Sequence, residues 1–404
     1  MLQNSWLSRV VTPRKDFLGV FILLLNAFTW YYMAVLIIDS YLKVFSPSAT
    51  EILTLWSTYY GSVIISSIIG SMIPTRSKIR FLHLWMLIGI VSSFLPALSF
   101  IPPQMWTFAL GFTFGLGMPA CLNYFANHST IENRGKTGGI IFLSFSLGAA
   151  LLAVAFTQLS LITGVFVLAI WRGMGLVAFI PFRVNPSNKV EKKEHVSFRQ
   201  VVTNRSFRLY IVAWTIFNLI DRFEWALWGR RLDPSLNTVA VIGPVLGAVA
   251  AFIAGALSDR VGRKRIIIGG FVALGLAYGV LGIAPSMLFL FSWYLYLVVD
   301  GIAWGILFVT FLLTLWGDLS LGGGSEKYYA IGIAPYYFTG IMESIVTATV
   351  LEIPEYAAFS LASIFLFIAV LPLLFAPETL PEKKIEIRRL RGYLEHAKKL
   401  REKY

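Results

Sequence analysis

Apolar and polar positions along the 404-residue chain fall in long blocks rather than in a short period. A helix needs about 20 mostly apolar residues to cross a hydrocarbon core of about 30 Å. Runs of that kind lie at 17–38, 52–73, 81–101, 105–127, 138–158, 162–182, 208–228, 237–257, 266–284, 287–316, 329–350 and 356–376. Closed barrels would instead show short strands of alternating character. The pattern predicts an all-α membrane protein with twelve transmembrane helices. The first run follows Arg9, Arg14 and Lys15, is too long for a signal-peptide core and lacks a small-residue cleavage pattern, so it reads as a span and not as a removed leader.

Composition agrees with the pattern. The chain is 57% hydrophobic and 14% charged, where soluble domains run at about 45–50% and about 25%. There are too few charges to cover a soluble surface, which excludes a cytosolic enzyme, a nucleic-acid-binding domain and a secreted module. The formal charge of +13 is a matter of topology. With the N-terminus in the cytoplasm, alternating loops put 29 of the 34 Lys and Arg residues inside and Lys43, Arg230 and Arg231 outside. One missed helix would invert every later loop, so this asymmetry supports twelve spans with both termini cytoplasmic. Cys121, the single cysteine, allows no intrachain disulfide and no cysteine metal cluster.

The longest polar loop, 184–207, follows the sixth run and divides the chain into six helices on each side. Gly111 and Gly115 of span four align with Gly301 and Gly305 of span ten at an offset of 190, and Asn26 and Ala34 of span one align with Asn218 and Ala226 of span seven at 192. Similar offsets in the correct order predict two six-helix bundles related by an internal repeat, at 1–183 and 208–376, joined by a cytoplasmic linker. Beyond them, Ile387, Leu390, Leu394 and Ala397 recur at helical spacing among Lys and Arg. The segment 377–404 therefore reads as a basic amphipathic tail on the cytoplasmic membrane surface.

The sharpest motif is Gly255-Ala-Leu-Ser-Asp259-Arg260-Val-Gly262-Arg263-Lys264-Arg265, between spans eight and nine. Gly255 admits a close helix, Gly262 permits a tight reversal, and Asp259 suits either a helix N-terminus or a neighbouring arginine. A turn with topogenic charge would explain the basic residues but not this order. The pattern G-x-L-x-D-R-x-G-R-K/R resembles the signature loop of the major facilitator superfamily. In that family the motif usually follows span two and is echoed after span eight. Here the first copy, Gly70-Ser-Met-Ile-Pro74-Thr-Arg76-Ser-Lys78-Ile-Arg80, carries Pro74 where the acid belongs. Two shorter echoes are Glu132-Asn-Arg134-Gly135-Lys136, similar to the family's E-x-R-G loop, and Pro377-Glu378-Thr379, similar to the ending of sugar porters. The Gly-Pro pair of span five and the arginine of span four that mark proton-linked drug exporters are absent, which lowers a drug-efflux reading. The resemblance implies a secondary carrier whose bundles rock about a central site. No Walker-type loop is present to supply ATP hydrolysis.

Ionisable residues inside spans cost at least about 2.5–3.5 kcal/mol each for Asp, Lys or Arg and point to pathways or pairs. They are Arg172 in span six, Asp221, Arg222 and Glu224 in span seven, Asp300 in span ten and Glu343 in span eleven. Asp221 and Glu224 share a helix face with Asn218, while Arg222 points about 100° away. Two carboxylates close together in low dielectric can bind and release a proton near neutral pH. The competing reading is a wet salt-bridge gate with Arg230 or Arg231. Asp300 is expected to face the interior and to serve coupling or substrate binding, with an ion pair to Arg172 as the rival. Glu343 follows the same logic. Asn26, Asn218, Trp30, Tyr31 and Tyr336, on helices that line the cavity in the family, would suit a sugar or another amphipathic solute. Gly243-Pro244 and Pro335 are expected hinges or static kinks.

The sequence thus predicts a proton-coupled carrier for a small organic solute in the cell membrane. It is expected to be monomeric, to be driven by a proton or other ion gradient across the lipid bilayer, and to need no cofactor, metal or nucleic acid. A drug or metabolite efflux carrier, a non-transporting receptor or scaffold and an enzyme for lipid-linked substrates are the alternatives. The last would need a clustered constellation, and His83, His128, His195 and His396 form no spacing motif. The topology has a direct test. In a cysteine-free background, cysteines introduced at Ser48 and Asn237 should react with a membrane-impermeant maleimide from outside, and one at Lys192 should not. The opposite pattern at any one site breaks the topology.

Overall fold

A computed structural model of the chain describes residues 14–73, 78–182, 196–228, 234–283, 289–320, 323–350 and 352–380. The amphipathic tail beyond 380, most of the linker and Pro74 lie outside the described residues, as do Arg230 and Arg231. Every regular element among those described is helical. Residues 14–182 form α1 (Arg14–Phe45), α2 (Ala49–Met72), α3 (Lys78–Phe94), α4 (Pro103–His128), α5 (Arg134–Phe156) and α6 (Leu161–Phe179). The short α7 (Phe198–Thr203) leads into α8 (Arg205–Trp228), α9 (Pro234–Val261), α10 (Arg263–Ile283) and α11 (Phe289–Phe308). A π-helical turn over Val309–Thr314 continues α11 into α12 (Leu315–Leu319). The remaining helices are α13 (Ser325–Gly332), α14 (Ala334–Val350) and α15 (Glu355–Phe375).

Local sequence explains the starts. Ser48 and Glu51 form a reciprocal capping box on α2, and Ser197 with Gln200 does the same for α7. Ser160 accepts from the Thr163 amide at the start of α6. Pro103 opens α4, where its missing N–H costs nothing and its fixed φ suits the first turn. That is why α4 begins before the apolar run at 105.

Ten helical stretches among the described residues are long and apolar enough to cross a membrane, with α11, the π turn and α12 forming one of them. Two of the twelve expected spans are not among them. α8 has the length, at 24 residues, but carries Arg205, Arg208, Asp221, Arg222 and Glu224. The expected span at 329–350 is split at Ile333 into α13 and a 17-residue α14. Pro335 stands in the first turn of α14, so the expected break is a division between two helices.

The burial pattern is that of a protein in lipid. Ile65, Leu151, Met174, Val177, Phe365 and Phe375 are exposed, while Ser62, Ser66, Thr113, Asn123 and Arg172 are buried. In a bilayer the outside offers no water, so polar side chains turn inward or bond to their own helix. Ser62 and Ser66 donate to the carbonyls of Tyr59 and Val63.

The aligned glycine pairs occupy equivalent contacts. Gly111 and Gly115 of α4 lie against the Tyr59 and Val63 carbonyls of α2. Gly301 and Gly305 of α11 lie against the Gly243 and Gly247 carbonyls of α9. Each pair lets two backbones approach where no Cβ would fit, the use of small residues typical of membrane helices. Gly115→Ala should therefore lower stability by about 1–3 kcal/mol through overpacking. Gly148→Ala meets nothing within 4 Å and should leave stability unchanged or raise it by up to about 1 kcal/mol through helix propensity. Thermal melts of the two variants in one detergent check this, and a Gly115→Ala protein as stable as Gly148→Ala contradicts the close approach.

Candidate functional site

Two features of the interior stand out: a cluster of buried charges at one end of the helices, and a cavity between them. The cluster begins at Asp259, in the last turn of α9. Its carboxylate accepts from the Gly135 amide at 2.9 Å and the Lys136 amide at 2.7 Å. These are N–H groups of the first turn of α5, where the helix dipole also favours an anion. Gly255 permits the approach, since a Cβ there would overlap the Gly135 carbonyl. Asp259 thus takes both roles expected of it, because Arg263 also pairs with it.

The connection between α9 and α10 is Gly262 alone, at φ +112°, in the region that favours glycine. Arg263, expected in a loop, is instead the first residue of α10 and fully buried. Its guanidinium reaches Asp318 at 3.0 Å, the Ser258 hydroxyl at 2.9 Å and the Ile131 carbonyl at 2.9 Å. Asp318 in turn receives Arg134, which also donates to the Ala126 carbonyl at 2.8 Å. Arg260 is exposed at the helix end. Glu378 closes the set by capping α10, accepting from the Arg263 amide at 2.8 Å and the Lys264 amide at 3.2 Å. The short echoes at 132–136 and 377–379 therefore supply Arg134, Gly135 and Glu378 to one cluster.

Asp318 was not singled out from the sequence, because it follows span ten in a segment counted as loop. Its signal was an acid at a helix end, at the face where bases gather. Among the described residues, no group of three or more His, Cys, Asp or Glu is placed to hold a metal ion.

A cavity of about 590 Å³ lies between α1, α4 and α5 on one side and α8, α9, α11 and α14 on the other. Phe28, Tyr31, Tyr32, Phe114, Phe142 and Phe145 line the first side. Asp221, Arg222, Glu224, Asp300, Trp304, Phe308, Tyr336 and Tyr337 line the second. Gly243 and Pro244 complete the wall, so the expected hinge of α9 abuts the site. Asp221 and Glu224 reach the lining from one face of α8, as their three-residue spacing requires, and Asp300 reaches it from α11. Asp221 accepts from the Trp304 indole at 2.7 Å. Glu224 accepts from the Tyr278 hydroxyl at 3.1 Å. Asp300 Oδ1 is buried without a hydrogen-bond partner among the described residues.

Other expected site residues sit elsewhere. Glu343 does not line the cavity; it pairs with Arg222 at 3.1 Å, and Arg222 lies over the Tyr336 ring at 5.1 Å. Asn218 is buried and donates to the Trp214 carbonyl of its own helix. Arg172 does not pair with Asp300. It is held between the Trp30 and Trp85 rings, 4.8 and 4.1 Å from their centres, and donates to Asn26 at 2.8 Å. Asn26 and Trp30 therefore serve this buried cation and not the cavity lining. The reason is geometric, since α6 packs on α1 and α3, away from α11.

A helical chain with ten candidate spans, lipid-exposed apolar faces and an interior cavity defines a multi-pass membrane protein. Residues 19–319 match the family model of the Major Facilitator Superfamily, and the chain belongs to that superfamily of membrane transporters. The fold is also similar to that of the human organic anion transporter MFSD10 (TETRAN), with a TM-score of 0.67 at 12% identity, over 89% of this chain and 99% of that one.

The charge cluster makes an ordered prediction. Asp318→Ala leaves Arg134 and Arg263 buried without their shared partner and should cost about 3–5 kcal/mol. Asp259→Asn keeps one acceptor oxygen and loses the other helix N–H partner, for about 1–3 kcal/mol. Melting temperatures of the purified variants should fall in that order, and the reverse order would mean that Asp318 is not the shared counter-charge.

Proposed function

We propose that the chain is a secondary active transporter that carries a small organic solute across the cell membrane by alternating access, coupled to protons. On this reading α8 and the α13–α14 pair are the two further spans, and 1–183 and 208–376 are the two six-helix bundles. Both termini and the Asp259–Asp318 cluster then lie on the cytoplasmic side. The cluster holds the bundles together there and stabilises an outward-facing state. The observation that carries the proposal is the convergence of Asp221, Glu224 and Asp300 on a cavity lined from both halves of the chain.

The coupling argument is one of charge and solvation. A carboxylate withdrawn from water without a permanent counter-charge is tolerated when it can become neutral. Asp221 and Glu224 accept from neutral donors, Trp304 and Tyr278, and Arg222, the one cation among the described lining residues, divides its charge between Asp221 and Glu343. Proton uptake from one side and release to the other would tie the charge of the cavity to the state of the bundles.

Proteoliposomes challenged with a panel of labelled organic solutes, with and without an imposed pH gradient, test the reading. The unaltered chain should accumulate its solute above the equal-pool level only with the gradient. Asp300→Asn mimics the protonated carboxyl and should abolish that accumulation while keeping part of the exchange between equal pools. Continued accumulation in all four of Asp221→Asn, Glu224→Gln, Asp300→Asn and Glu343→Gln would rule out proton coupling through these groups. Facilitated diffusion or sodium coupling would then be the better account.

A further inference from the structure

The volume and the helices of the cavity say how large a solute fits; the chemistry of its wall says what charge that solute carries. At about 590 Å³ the space suits a drug-sized organic molecule. Aromatic side chains dominate it, with Tyr31, Phe114, Phe145, Trp304, Phe308 and Tyr336 on the lining. The faces of such rings carry the negative side of their quadrupole and attract cations held over them. The three carboxylates carry the same preference. Trp304 and Tyr278 hold Asp221 and Glu224 in place without cancelling charge. Asp300 Oδ1 is buried and left unmatched among the described residues, and a buried acceptor in that condition favours any ligand that answers it. Arg222, the one basic side chain among the described lining residues, pairs with Glu343 from outside it and keeps its Nε without a hydrogen-bond partner, so a single shared cation stands against three carboxylates.

We infer that the cavity binds an organic cation, an amine or quaternary onium group on an apolar, partly aromatic body, with the positive centre set between Asp300 and the surrounding rings. This rests on the cavity being the solute site of the proposed transporter, and it narrows the solute from any small organic molecule to one charge class. An organic anion would set like charge against three carboxylates. The likeness to an organic anion transporter is one of fold, at 12% identity.

Two probes of matched shape and opposite charge decide the question. Labelled tetraphenylphosphonium is titrated onto the full chain in nanodiscs, with no pH gradient and with empty nanodiscs subtracted, and unlabelled tetraphenylborate serves as competitor. Saturable tetraphenylphosphonium binding is expected, with tetraphenylborate a poor competitor. Asp300→Asn should weaken it by about thirtyfold or more, the usual consequence of removing one partner of a buried charge pair, and Asp300→Glu should retain most of it. Absence of saturable binding, or equal competition by tetraphenylborate, overturns the inference on the unaltered chain alone. So does undiminished binding in a folded Asp300→Asn protein. Because no gradient is applied, the outcome is independent of coupling. Cation binding without pH-driven accumulation would sink the coupling reading and spare this one, and pH-driven accumulation of an anionic solute would do the reverse.

Discussion

Charge removed from water has to meet its opposite nearby, and in this protein that constraint acts most strongly where α5, α9, α10 and α12 meet. Arg263 and Asp318 are almost wholly buried. Neither could stay ionised there alone, since an isolated buried charge costs several kcal/mol even after relaxation. Two arginines, two aspartates and a helix N-terminus satisfy one another across segments 55 to 184 residues apart. The register of α5 against α9 follows from this, because sliding either helix by a turn would strand Asp259. The register in turn places the wall of the cavity, whose α5 and α9 residues lie further along the same pair of helices.

How much of this could be read from the chain depends on the distance over which each signal acts. The order of residues at 255–265 was legible because its parts are local: a glycine for approach, an acid, a glycine at positive φ and an arginine. The three-residue spacing of Asp221 and Glu224 was legible for the same reason, as a single helix face. The role of Arg172 was not, since its partners Asn26, Trp30 and Trp85 lie on two other helices. An asparagine and a tryptophan in an apolar run are equally suited to a solute and to a buried guanidinium. Asp318 was not legible because it acts as counter-charge to arginines on two remote elements, and the Pro377-Glu378-Thr379 echo gave no sign that Glu378 caps α10.

The interior also shows two ways of keeping an ionisable group in a membrane protein. Arg172 is enclosed by ring faces and one amide oxygen, which leaves little room for change and suits a fixed support among α1, α3 and α6. The carboxylates of the cavity have neutral donors, with Asp300 Oδ1 left without one among the described residues, and empty space beside them. The first arrangement fixes one position for the side chain. The second leaves the balance to whatever enters the space, which is the property a site of exchange requires.

The π turn at Val309–Thr314 separates the two aspartates of one continuous helical rod. Asp300 and Asp318 are eighteen residues apart, and at about 100° per residue an unbroken α-helix would bring them back to the same azimuth after about five turns. A π turn accommodates about one extra residue and so offsets everything beyond it by roughly one residue's rotation, about 100°. The offset acts as a phase shifter: one rod addresses an open chamber at one station and a sealed lock at the other, through different sides. Excising a single residue from the turn would leave both aspartates in the chain while aiming one of them at the wrong neighbours.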